Sequence, residues 1–177
     1  MIAMVQVGQK APDFTVEAYV NGQIKKVSLV DYKGKWVVIF FYPRDFTFVC
    51  PTELKGFATA QADFEKRNAV VVGISTDSAY SHKAWFEKEL PEVKYAVLAD
   101  TAHKVSRDYG VLLEDSGAAL RGTFIIDPNG LLQYQVVSNL NVGRSVQETL
   151  RVLEACQSGE LCPLDWTPGK KTLGKAK

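Results

Sequence analysis

One cysteine in this chain stands where a thiol becomes reactive. Residues 45–53 read Asp-Phe-Thr-Phe-Val-Cys-Pro-Thr-Glu, and Cys50 lies between an apolar run and a helical pattern. The run Trp36-Val37-Val38-Ile39-Phe40-Phe41, bounded by Gly34 and Pro43, reads as a fully buried strand. After the cysteine, Leu54, Phe57, Ala58, Gln61 and Phe64 share one helical face. Cys50 therefore falls where a central strand hands over to a helix. Open α/β sheets gather their sites at the carboxyl ends of strands. Pro51 suits a first helical turn, where its missing N–H costs least, and Glu53 places an acid near the same start. The positive end of a helix favours thiolate over thiol, and the thiolate is the nucleophile. The competing reading is a buried structural cysteine, the usual state of a free thiol. The strand, Cys-Pro and helix in succession weigh against it.

The elements that must hold this cysteine follow from the flanking patterns. Residues 36–42 and 69–76 are the two clearest strands, both continuous apolar runs of the kind a parallel sheet covered on both faces requires. A helix over about 51–67 joins them, which makes a βαβ unit. Before it, residues 1–35 form an irregular lead-in with a hairpin, Phe14–Val20 against Lys25–Leu29, turning at Asn21-Gly22. This hairpin is expected to lie outside the main sheet. Beyond the unit come a helix over 78–90 capped by Ser78, a short strand over 95–99, and a short helix over 101–109 stopped by Gly110. Strands 121–126 and 131–137 turn through Asp127-Pro128-Asn129-Gly130. A long helix over 142–157 carries Val142, Val146, Thr149 or Leu150, Leu153 and Cys156 on its apolar stripe and ends at Ser158-Gly159. The tail beyond it should be extended and exposed.

At 177 residues, 46% hydrophobic and 23% charged, the chain is expected to make one domain over 1–177, with a core at about 5–158 and a tail over 159–177. A net charge of +1 points to neither nucleic acid nor an anionic membrane. There is no run of 18 apolar residues, and the first ten residues show no secretory leader pattern. Three cysteines, at 50, 156 and 162, do not make a secreted disulfide framework, so a reducing cytoplasm is expected, where a disulfide would be transient. Cys156 reads as packed and inert. A zinc site at Cys156 and Cys162 has the wrong spacing, and His82 and His103 read as surface residues. No metal or cofactor is expected.

A βαβ unit followed by a hairpin and a terminal helix is the thioredoxin arrangement, here α/β with an N-terminal β-hairpin addition and an extended C-terminal tail. Thioredoxin's Cys-x-x-Cys is absent. Instead Tyr42-Pro43-Arg44-Asp45-Phe46-Thr47-Phe48-Val49-Cys50-Pro51-Thr52-Glu53 resembles the active-site signature of the typical two-cysteine peroxiredoxins, the AhpC-like branch. The resemblance runs on through Ala11-Pro12-Asp13-Phe14, His82-Lys83-Ala84-Trp85, Arg121-Gly122-Thr123-Phe124, Val142-Gly143-Arg144-Ser145 and Cys162-Pro163-Leu164-Asp165-Trp166.

That resemblance implies roles. Cys50 would attack a peroxide and become a sulfenic acid. Thr47 would hydrogen-bond the peroxide, Arg121 would aim its guanidinium at thiolate and peroxide, and Pro43 would cap the pocket. Glu53 and Arg144 would orient Arg121 and the cysteine loop. Cys162 would resolve the sulfenic acid as an intersubunit disulfide, reduced in turn by thioredoxin or by a flavoprotein disulfide reductase of the AhpF kind. A homodimer assembling to a decamer is implied. Each residue has a plainer reading: Thr47 as a helix cap, Pro43 as a strand end, Arg121 as a solvated charge. Eukaryotic members carry a Gly-Gly-Leu-Gly insertion and a terminal Tyr-Phe helix. Residues 86–95 and the ending Thr-Leu-Gly-Lys-Ala-Lys match neither, which implies fast local unfolding around Cys50 and resistance to overoxidation. The alternatives are a disulfide reductase, a holdase chaperone and a redox relay.

Overall fold

The apolar runs become the middle of a seven-stranded sheet. The computed structural model describes residues 5–176; the first four residues of the expected lead-in and the last lysine of the tail lie outside the described residues. In chain order the strands are β1 (Thr15–Val20), β2 (Gln23–Ser28), β3 (Trp36–Phe41), β4 (Ala69–Ser75), β5 (Ala96–Ala99), β6 (Leu112–Leu113), β7 (Ala118–Ala119), β8 (Arg121–Ile126) and β9 (Leu132–Ser138). The helices are α1 (Cys50–Thr59), α2 (Gln61–Glu65), α3 (Ala79–Glu89), α4 (Lys104–Asp108) and α5 (Val146–Ser158). The main sheet runs β2-β1-β5-β4-β3-β8-β9, and β6-β7 form a separate small hairpin. β3, β4 and β5 are parallel, whereas β8 lies antiparallel to β3.

Both faces of β3 are buried, which is why its sequence shows no polar alternation. Val37, Ile39 and Phe41 join one core with Tyr109, Phe124 and Leu132. Phe40 points the other way and stacks on Phe57 of α1 at 4.3 Å between ring centroids.

The first hairpin does not lie outside the sheet. β1 pairs antiparallel with β5 through Ala18–Leu98 and Tyr19–Val97, so β1 and β2 extend the main sheet. Ala18 and Tyr19 are buried there, and β1 covers what would otherwise be the open edge of β5. The helix expected over 51–67 is two pieces, broken at Ala60 (φ −89°, ψ 0°). Its apolar face is continuous across the break, with Phe57 and Phe64 rings 6.0 Å apart. The helix expected over 101–109 shrinks to α4 because His103 takes a left-handed conformation (φ +60°).

Residues up to Arg144 form one compact unit, and residues from Ser145 on form a second. In the second, α5 starts at Val146 rather than Val142, since Ser145 accepts a hydrogen bond from the Glu148 N–H at 3.1 Å. Ser145-x-x-Glu148 is a capping-box pattern that marks this start in the sequence. Gly159 (φ +63°) ends the helix as expected. The tail is not simply extended and exposed. Leu161 pairs through its backbone with Leu173 and Gly174, and Trp166 is buried, donating to the Lys170 carbonyl while Arg151 donates to its own.

Candidate active site

Cys50 is the first residue of α1 and is completely buried, 0% exposed. Pro51 occupies the first turn, where its missing N–H is one donor fewer to satisfy. β8 brings Arg121 to the sulfur. Its Nη1 lies 3.4 Å from Cys50 Sγ and 2.6 Å from Glu53 Oε1, while Nε donates to the Leu140 carbonyl at 2.7 Å. Arg121 is not a solvated charge; it is 4% exposed. Among the described residues Nη2 has no hydrogen-bond partner, so two donors remain for an incoming oxygen.

Glu53, one turn into α1, is gripped from the other side by Arg144. Arg144 donates to it from Nε (2.6 Å) and from its backbone N–H (2.9 Å). The same guanidinium reaches the Gly122 carbonyl, Thr123 Oγ1 and the Phe41 carbonyl, and sits 5.2 Å above the Phe40 ring. One side chain thus ties the end of β3, the start of β8 and the first turn of α1 together. Burial pushes the Glu53 carboxyl pKa up, but the hydrogen bonds and charge of Arg144, with the charge of Arg121, outweigh it and hold the pKa below the usual carboxylate range. Burial lowers the pKa of Arg144, against the pull of Glu53. Two cations and one carboxylate leave one positive charge in excess beside Cys50.

Thr47 does not cap α1: the N-cap is Val49, with no side-chain cap. Its hydroxyl donates to the Arg44 carbonyl at 2.9 Å. Pro43 is half-buried at the end of β3. Cys162 belongs to the second unit and is half-buried, its sulfur 3.5 Å from Ser158 Oγ and 3.8 Å from the Ala155 carbonyl. Cys156 is also half-buried, and burial followed by the charge of Cys162 raises its pKa. All three cysteines are free thiols.

His82 corrects the sequence reading. It is not a surface residue but fully buried on α3. Nδ1 lies 2.7 Å from Asp45 Oδ2 and Nε2 lies 2.9 Å from the Leu98 carbonyl. Asp45 also accepts from Tyr42 Oη at 2.6 Å and Ser81 Oγ at 2.8 Å. Helical spacing could have found it, since Ala79, His82, Trp85 and Phe86 form the buried stripe of α3. His103 is half-buried, again not fully at the surface.

A thiol at the head of the helix after a central strand, facing a buried arginine, defines a thioredoxin-fold thiol enzyme. The profile of the AhpC/TSA family matches residues 7–135. A putative peroxiredoxin of Bacillus subtilis, YkuU, is 52% identical, covering 94% of this chain and 97% of its own. A thioredoxin peroxidase of Echinococcus granulosus is 51% identical over 94% of this chain and 91% of its own. The crystal structure of reduced Plasmodium vivax 2-Cys peroxiredoxin superposes with a TM-score of 0.90 at 40% identity, covering 94% of this chain and 91% of that one. The chain belongs to the AhpC/TSA family. It is a peroxiredoxin, a thiol-dependent peroxidase. Among the described residues no helix is long and apolar enough to cross a membrane, and no cluster of three His, Cys, Asp or Glu side chains is placed to hold a metal ion.

Proposed function

We propose that Cys50 is the residue that attacks the peroxide, on hydrogen peroxide and alkyl hydroperoxides alike. The carrying observation is the Arg121 contact, 3.4 Å from Nη1 to Sγ, with Glu53 fixing the same guanidinium. The thiolate attacks the terminal peroxide oxygen, the O–O bond breaks, and water or alcohol leaves while sulfur becomes a sulfenic acid. Arg121 Nη2 offers donors to the oxygens as negative charge develops on the leaving one. The Thr47 hydroxyl spends its proton on Arg44, so its oxygen is free to accept from the hydroperoxide O–H. Pro43 closes the pocket at the strand end.

Cys162 then attacks the sulfenic sulfur of a partner subunit, an S–S bond forms and water leaves. Support for a homodimer comes from β9. It is a seven-residue outer strand of the sheet with no charged side chain, and Val136 and Val137 are exposed. Exposed Phe46, Phe48 and Tyr80 favour further association of dimers towards a decamer. The electron donor is thioredoxin, as the Echinococcus relative's name has it for that protein, with a flavoprotein reductase of the AhpF kind as the alternative. A reducing cytoplasm suits a cycle that must return to free thiols.

The test is a non-reducing gel with mass spectrometry after one equivalent of hydrogen peroxide, on wild type and Cys162→Ser. A dimer cross-linked through Cys50 and Cys162, absent in the variant, is expected. A Cys50–Cys156 bond, or no oxidation of Cys50, overturns the assignment.

A further inference from the structure

If Cys50 is the attacking thiol, its sulfur must leave the buried site before a second chain can reach it. A disulfide needs its Cα atoms within roughly 4.4–6.8 Å, and Cys50 is sealed at 0% exposure. The segment that precedes it, 42–49, is held unevenly. Its second half is held less: Phe48 is 95% exposed, and Phe46, whose ring meets Trp85 at 5.5 Å between centroids, sits at φ +57°, a costly conformation for a side chain of that size.

Its first half is knotted to the body. The Asp45 carboxylate takes three donors, from Tyr42, Ser81 and His82. The atoms facing the two His82 ring nitrogens are a carboxylate oxygen and the Leu98 carbonyl oxygen, so the ring bridges the loop to β5. The Asp45 N–H donates to Asp77 at 2.8 Å, and Ser75 Oγ donates to the same carboxylate at 2.7 Å. On the solvent side, Arg44 donates to the Ser116 carbonyl in the turn between β6 and β7.

We propose that His82, acting through Asp45, is a positioning residue that fixes the near hinge of the Cys50 loop at Asp45–Phe46. Opening is confined to the residues after Asp45, while Tyr42 and Pro43 stay in place. The knot thereby sets the balance between the buried cysteine, which meets a peroxide, and the open cysteine, which meets Cys162. A second peroxide oxidises the buried sulfenic acid to a sulfinic acid; opening diverts it to the disulfide.

The test compares His82→Gln with His82→Asn in the full chain. Glutamine's amide stands in for Nε2 and keeps Leu98, whereas asparagine's stands in for Nδ1 and keeps Asp45. Each reduced protein is pulsed with excess hydrogen peroxide, and the Cys50–Cys162 disulfide and Cys50 sulfinic acid are quantified by mass spectrometry. In His82→Gln the ratio of disulfide to sulfinic acid should rise about tenfold, the factor that a lost charge-assisted hydrogen bond is worth. His82→Asn should stay near wild type. Arg44→Ala, an exposed position clear of the core, should move the ratio in the same direction and carries the test if His82→Gln does not fold. An equal ratio in wild type and the loosened variant, or equal changes in the Gln and Asn variants, overturns the proposal alone. No oxidation of Cys50 in the wild type overturns the peroxide-attacking reading and this proposal with it.

Discussion

Glu53→Gln removes the one anion that two buried guanidinium groups share, at almost unchanged volume. Glu53 is 5% exposed, and its oxygens accept from Arg121 Nη1 and Arg144 Nε, both at 2.6 Å, and from the Arg144 N–H at 2.9 Å. A glutamine amide has one acceptor oxygen and must turn its NH₂ towards one of the cations. Removing one partner of a buried pair costs about 3–5 kcal/mol. At roughly 2–4 °C per kcal/mol for a chain of this size, Tm should fall by about 6–20 °C. Calorimetry and urea unfolding of the reduced protein at pH 7 measure this. The pH dependence gives a second check. The folded-state pKa of Glu53 is lowered, so its contribution is complete above the ordinary carboxylate pKa and is lost as pH falls through the lowered folded value. The gap between wild type and variant should therefore be widest at neutral pH and close on acidification below the usual carboxylate range. Peroxidase kcat/KM should drop about 100-fold, because an arginine misplaced by about 1 Å loses that much. A stability loss under about 1 kcal/mol at pH 7, or a gap that does not narrow in acid, would refute the reasoning.

Arg121→Lys keeps the charge but replaces a planar fork with a point donor that cannot serve Cys50, Glu53 and Leu140 together. Its kcat/KM for hydrogen peroxide, read by competition with a second peroxidase, should fall about 100- to 1000-fold. Gly122→Ala sets a methyl 2.8 Å from both Val111 Cγ1 and Phe124 Cε2, and two core side chains cannot both yield. It should cost about 1–3 kcal/mol in urea unfolding, and the displaced β8 should lower activity through Arg121.

The strands β3 and β4, the capped start of α3, the Asn21-Gly22 turn and the place of Cys50 at a helix head are all local patterns, and each was legible as such. Arg121 and Arg144 entered through the family resemblance and not through spacing, while Glu53 was legible locally only as an acid near a helix start. Arg121 stands 71 residues from Cys50 and Arg144 stands 91 from Glu53. Histidine is polar by type and so suggests a surface site, although the helical position of His82 lies on the buried face of α3. The place of the first hairpin in the sheet is not legible locally, because nothing within it records the two residues of β5 that it pairs with.

By itself, then, the sequence determined the central strands, most of the helical segments and their apolar stripes, and where a cysteine stands at a helix start. Periodicity and turn chemistry act over a few residues and leave their mark there. The tertiary structure alone decided that one carboxylate would hold two arginines beside a sulfur, and that a histidine would pin the loop in front of it. Those contacts join segments whose separation along the chain is bridged only when β3, β8, α1 and α3 pack together. Once packed, a buried polar group must find its partner among whatever the topology has brought near, because leaving it unpaired costs more than the bond itself returns.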